Sequence, residues 1–178
     1  MRAPSVCPAI FAFDPDALYC SPRNEPMSLQ MPLGQLMSDA EFERLIDPNP
    51  FAMGTSRQTH NVIADRLVVV KKIKDGYGGP NFPNYIEWFI WSSVSETDLA
   101  DVFGRCFAIS TTGRYLMMER LDDISTADVP LTPLLPDWVK DIKGLTVFGK
   151  NQQGVVKVRD YALVKIGDAL AQAPRRRP

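Results

Sequence analysis

Residues 141–162 read DIKGLTVFGKNQQGVVKVRDYA. Two apolar runs, Leu145-Thr146-Val147-Phe148 and Val155-Val156-Lys157-Val158, stand on either side of Asn151-Gln152-Gln153-Gly154. Such runs around a polar, glycine-terminated turn predict a β-hairpin. An aspartate lies at each end: Asp141 precedes Lys143, and Asp160 follows the second run and opens the triplet Asp160-Tyr161-Ala162.

Outward from this hairpin the chain repeats the same kind of pattern. Cys106–Ser110 and Tyr115–Glu119 flank Thr111-Thr112-Gly113-Arg114, which predicts a second hairpin. His60–Ile63 and Leu67–Ile73, joined at Ala64-Asp65-Arg66, predict a third. Between these two lies Tyr85–Trp91, whose apolar residues fall at helical spacing with a surplus of aromatics, so a largely buried helix is expected there. A short helix is expected from the Ser95–Asp98 cap, and another piece around Asp137–Val139 after a proline-rich link from Asp122 to Pro136. Ser38-Asp39-Ala40-Glu41 has the form of a capping box and is followed by Phe42, Leu45 and Ile46; Pro48 and Pro50 end that helix.

Six of the 15 prolines fall within residues 1–37 without helical or strand period, which reads as an extended arm. Phe11, Phe13, Leu18 and Tyr19 give part of this arm a means of lying on the domain; a start at Met27 or Met31 is the alternative reading. The expected organisation is an arm over 1–37, a domain over 38–168 and a short basic tail over 169–178. A hydrophobic content of 45% with 23% charged residues excludes a chain disordered throughout.

Twenty Lys and Arg against 21 Asp and Glu leave a net charge of -1, which offers no general attraction to nucleic acid; Arg175-Arg176-Arg177 is read as a solvated terminus. Three cysteines and a single histidine, His60, supply neither a disulfide framework nor a His/Cys zinc site. No window reaches the ~18 apolar residues of a membrane span. The expectation is a cytoplasmic protein without membrane or nucleic-acid partners.

The order of these elements resembles the protein kinase fold, and more narrowly the small, truncated kinase-like proteins of tailed bacteriophages, over roughly residues 51–166. The fold class expected is α+β: an antiparallel sheet of about five strands plus one helix, followed by a strongly reduced C-terminal lobe carrying a catalytic-loop-like hairpin. The resemblance makes Val70-Lys71-Lys72-Ile73 the strand whose lysine holds ATP phosphates, with Glu87, 16 residues on, as its ion partner. Without such a partner a buried cation would cost several kcal/mol; the plainer reading leaves Lys71 facing solvent and Glu87 at a helix edge.

By the same resemblance Glu119 ends the strand entering the adenine-binding hinge, with Met117 or Met118 near the gatekeeper position or simply in the core. Asp141-Ile142-Lys143-Gly144-Leu145-Thr146 falls on the pattern D-x-K-x-x-N, which implies Asp141 as catalytic base and Lys143 as its electrostatic helper. Asp160 is implied as the magnesium ligand, with Thr146 as a second, weakened one.

Departures from the pattern are several. Thr146 replaces an asparagine, Ala162 replaces a glycine, and the phosphate roof reads Gly54-Thr55-Ser56-Arg57 with one glycine. Ser56 and Arg57 are expected either to offer side chains to phosphate or to form a polar turn. The Gly76, Gly78 and Gly79 loop follows the lysine strand and is read as a connector. The resemblance therefore implies a pseudokinase that binds and modulates a host or phage protein, as a host-takeover or anti-defence inhibitor. The alternative is an active minimal phosphotransferase using ATP and Mg.

Overall fold

The computed structural model describes residues 35–77, 79, 82–131 and 144–162. These form a mixed α+β arrangement: a six-stranded sheet with two helices and a separate two-stranded sheet. In chain order the elements are β1 (Gln35–Met37), α1 (Asp39–Leu45), β2 (Ala52–Met53), β3 (Arg57–Asn61), β4 (Val68–Ile73), α2 (Phe82–Val94), β5 (Cys106–Ser110), β6 (Tyr115–Glu119), β7 (Phe148–Lys150) and β8 (Val156–Val158). The large sheet has the order β1-β5-β6-β4-β3-β2, and only β1, paired with β5, runs parallel to its neighbour.

Alternation along the strands sorts side chains onto two faces. Val68 and Val70 of β4, with Tyr115 and Met117 of β6, pack with Phe42 and Ile46 beside α1. Val69, Leu116 and Met118 point the other way, onto Ile90, Trp91 and Val94 of α2. Lys71 shares a face with Val69 and is thereby aimed at α2.

Ser38 caps α1 as expected: its hydroxyl accepts from the Glu41 amide, and the Glu41 carboxylate accepts from the Ser38 amide at 2.6 Å. In α2, Pro83 occupies the first turn, where no amide donor is needed. The buried positions Asn84, Glu87, Trp91 and Val94 recur every three or four residues and form the stripe turned to the sheet. Gly113 takes φ 72° in the turn between β5 and β6, and its amide donates to Ser110 O at 2.8 Å. The 3-10 turn Asp98–Asp101 is capped by Thr97, one of the residues in the expected Ser95–Asp98 cap.

Several expectations are corrected. The sheet has six strands because Gln35–Met37, the end of the stretch read as an arm, adds an edge strand against β5. The first hairpin begins at Arg57, three residues before His60, since Arg57 and Gln58 pair with Ile73 and Lys72. Leu145–Val147 forms a 3-10 turn, so the last hairpin starts at Phe148. The helical piece expected around Asp137–Val139 lies outside the described residues.

The small β7-β8 sheet is fastened below the large one. Val158 N donates to Val102 O and Gly104 N donates to Val158 O, both at 2.8 Å, while Asp122 and Lys150 exchange two backbone bonds at 2.9 Å. Gly149 makes this approach possible, because a Cβ there would lie 2.6 Å from the Leu121 Cβ.

Candidate functional site

A cleft of about 470 Å³ opens between the two sheets, lined among others by Met53, Lys71, Met118, Glu119, Thr146 and Asp160. Lys71 and Asp160 of this lining belong to an ionic cluster drawn from β3, β4, α2 and the segment after β8, whose other members, Arg57 and Glu87, are buried behind the cleft. Glu87, fully buried, is the centre. Its Oε2 accepts from Arg57 Nη1 at 2.9 Å, and its Oε1 from Arg57 Nη2 at 3.0 Å, a bidentate pair. Lys71 Nζ donates to both Glu87 oxygens at 3.0 Å, and the Tyr161 amide donates to Oε1 at 3.1 Å. Burial would raise the Glu87 carboxyl, but Arg57 and Lys71 overcome it and hold the group at about 2.

Arg57 extends the cluster to Asp160, whose Oδ1 accepts from Nη2 at 2.7 Å. Burial acts to lower the Arg57 pKa, yet the Glu87 and Asp160 charges leave it raised. Arg57 Nη1 also donates to Asn84 Oδ1 at 3.3 Å. Asn84 is itself buried, and its Nδ2 donates to Gly113 O at 2.9 Å and Arg114 O at 3.0 Å, fixing the start of α2 against the β5-β6 turn. Lys71 is in a different position. Its pKa is lowered, chiefly by burial and also by repulsion from Arg57. Its third donor goes to Arg159 O at 2.6 Å, so the three hydrogens of the ammonium match three acceptors already in place.

Arg159 closes the floor of the cleft. It donates from Nη1 to Leu121 O at 3.2 Å and from Nε to Thr146 O at 3.0 Å, and it pairs with Asp123 at 2.6 Å. Beside it Tyr161 is buried, with its ring edge-on to Phe103; its hydroxyl donates to Gly104 O at 2.8 Å and meets Cys106 Sγ at 3.0 Å. These contacts seat Tyr161 against Phe103, Gly104 and Cys106, while its amide ties it to Glu87 of α2.

The structure therefore brings Lys71, Glu87, Arg57 and Asp160 together, with Thr146 at the rim of the same cleft. Thr146 is exposed, and its carbonyl serves Arg159. Arg57, expected to offer its side chain to phosphate or to stand in a polar turn, is instead buried in the cluster, because it belongs to β3 and faces α2. Ser56 contributes its carbonyl to Lys74 N at 3.0 Å in the short turn between β2 and β3. Glu119, at the end of β6, is a cross-tie: it accepts from Lys157 Nζ at 2.9 Å and Asn151 Nδ2 at 3.3 Å, while its amide donates to Arg105 O at 2.7 Å. Of the methionine pair, Met118 faces the cleft and Met117 packs on the opposite side. Asp141 and Lys143 lie outside the described residues.

Asn84 and Arg159 were not singled out by the sequence reading. Asn84 stands three residues ahead of Glu87 on the buried stripe, which is the signal that identifies it.

No protein-family model and no curated protein matches the sequence. Among solved structures the fold is similar to that of a pseudokinase in its apo form, at 9% identity and a TM-score of 0.46, over 72% of this chain and 62% of that one. The chain thus spans less than two thirds of that structure, and the likeness is one of overall arrangement.

Proposed function

We propose that this is a kinase-like protein that acts by binding another protein and not by phosphoryl transfer, a pseudokinase scaffold. The observation that carries this reading is the state of Asp160, whose Oδ1 is taken by Arg57 Nη2 at 2.7 Å. A transfer site needs this carboxylate turned toward the metal and the phosphates, since its transition state is stabilised by positioned charge. The partner we propose is a host or phage protein, with inhibition of a host function as the outcome.

A second reading, a minimal phosphotransferase using ATP and Mg, is favoured by the Lys71–Glu87 pair itself and by a cleft whose volume falls in the ~300–1,000 Å³ range of small-molecule sites. One experiment separates the two. The full chain is incubated with γ-labelled ATP, magnesium and host extract. Absence of transferred label, together with a stable complex reconstituted from the purified partner, supports the scaffold. Label transfer abolished in Asp160→Asn overturns it.

A further inference from the structure

The kinase resemblance implies a divalent cation at Asp160, and the donor set around that carboxylate tests the fit. Asp160 Oδ1 is held at 2.7 Å by Arg57 Nη2, a permanent cation delivered from β3. The neighbouring carboxylate, Glu87, is engaged on both oxygens by Arg57 and Lys71. Among the described residues no group of three or more His, Cys, Asp or Glu side chains is placed to hold a metal. A divalent ion on Asp160 would stand beside the guanidinium and be repelled by it; the Arg57 side chain is 9% exposed and cannot swing away into water, although the carboxylate itself is 57% exposed. The residues present do not fit the metal.

We propose that Arg57 is the resident counter-cation of the cleft: it occupies at Asp160 the place of a divalent metal, and so makes any ligand binding in this cleft independent of divalent ions. This rests on the kinase-like reading for the expectation of a metal, while the exclusion follows from the geometry of Arg57. Three features support a built-in role over a chance contact. The fork of Arg57 is bidentate on Glu87, its second amine is shared with Asp160, and Asn84 fixes its other edge. The turn before it is short, with Gly54 N bonded to Arg57 O at 2.9 Å, so the β3 backbone that delivers the guanidinium is itself pinned.

The test uses Mn²⁺ as probe, read by loss of its free-ion EPR signal and by thermal unfolding of the full chain. Wild-type protein is expected to leave millimolar Mn²⁺ free and to keep an unchanged Tm. Arg57→Met keeps the apolar stem and removes the charge. It is expected to take up about one Mn²⁺ per chain with a rise in Tm, and Asp160→Asn in the same background should abolish both. Mn²⁺ uptake by wild type that Asp160→Asn removes would overturn the proposal, as would a folded Arg57→Met that takes up no Mn²⁺. If Arg57→Met does not fold, Arg57→Lys decides. Its ammonium lacks the length and the planar fork by which the guanidinium serves Glu87 and Asp160 at once and is expected to stay on Glu87, so Mn²⁺ uptake sensitive to Asp160→Asn is expected and its absence counts against the proposal. Label transfer from ATP, by contrast, would overturn the scaffold reading and leave the outcome of the Mn²⁺ titration unaltered.

Discussion

The backbone amide of Tyr161 donates to Glu87 Oε1 at 3.1 Å, joining the triplet after β8 to the centre of α2 across 74 positions of sequence. Glu87 therefore carries more than the balance of two cations: it is also the anchor by which the small sheet's trailing segment is held to the large one.

Replacing that anchor has a defined cost. Glu87→Gln leaves Arg57 and Lys71 buried with Asp160 as the remaining carboxylate, and breaking a buried pair from one side costs about 3–5 kcal/mol. Urea unfolding is expected to show that loss as a lower midpoint at unchanged slope.

Acid should remove the same stabilisation from the wild type. The Glu87 carboxyl is held at about 2 against its ordinary value of 4.5, so its contribution is complete above pH 4.5 and is lost as pH falls toward 2. The stability difference between wild type and Glu87→Gln is expected to narrow by roughly 3 kcal/mol across that window. A difference that stays constant from pH 5 to pH 2 would refute this assignment.

Cys106 is fully buried, and its thiol is pushed up to about 12, mainly by burial. In a Cys7→Ser/Cys20→Ser background it is expected to resist thiol reagents at pH 8 until the protein opens. Tyr161→Phe removes the hydroxyl bonded to Gly104 O and Cys106 Sγ, at about 1 kcal/mol, which should speed labelling about fivefold.

Gly113→Ala combines two faults. The residue sits at φ 72°, and a Cβ there would run into the Tyr85 ring. The left-handed conformation alone costs about 1–2 kcal/mol. Adding Tyr85→Ala should recover the part due to the clash but not the part due to φ, which a double-mutant cycle by thermal unfolding resolves.

Much of this was written in local patterns. Ser38 and Glu41 announce α1, the Val68–Val70 run announces β4, and the helical apolar spacing within Tyr85–Trp91 announces α2. Lys71 and Glu87 meet because strand parity and helix period happen to aim both at one place. What stayed hidden is long-range. A three-residue strand such as Gln35–Met37 has no signal of its own and exists through pairing with Ala108–Ser110. Arg57 was misread for a narrower reason: with the strand begun at His60 it falls in a turn, whereas begun at Arg57 it shares parity with Thr59, whose partner is Lys71. Its contact with Asp160 spans 103 positions, beyond the reach of any local pattern.

The four-member cluster also has a consequence for encounter kinetics. Arg57 and Lys71 carry two positive charges, Glu87 and Asp160 two negative, so the cluster has no net monopole and its field decays quickly with distance. Ions in bulk are neither drawn in nor repelled by it. Any dependence on ionic strength of the rate at which a phosphate-bearing molecule reaches this cleft must therefore come from its other lining charges, Glu119, Arg120, Asp122, Asp123 and Arg159, and not from the cluster.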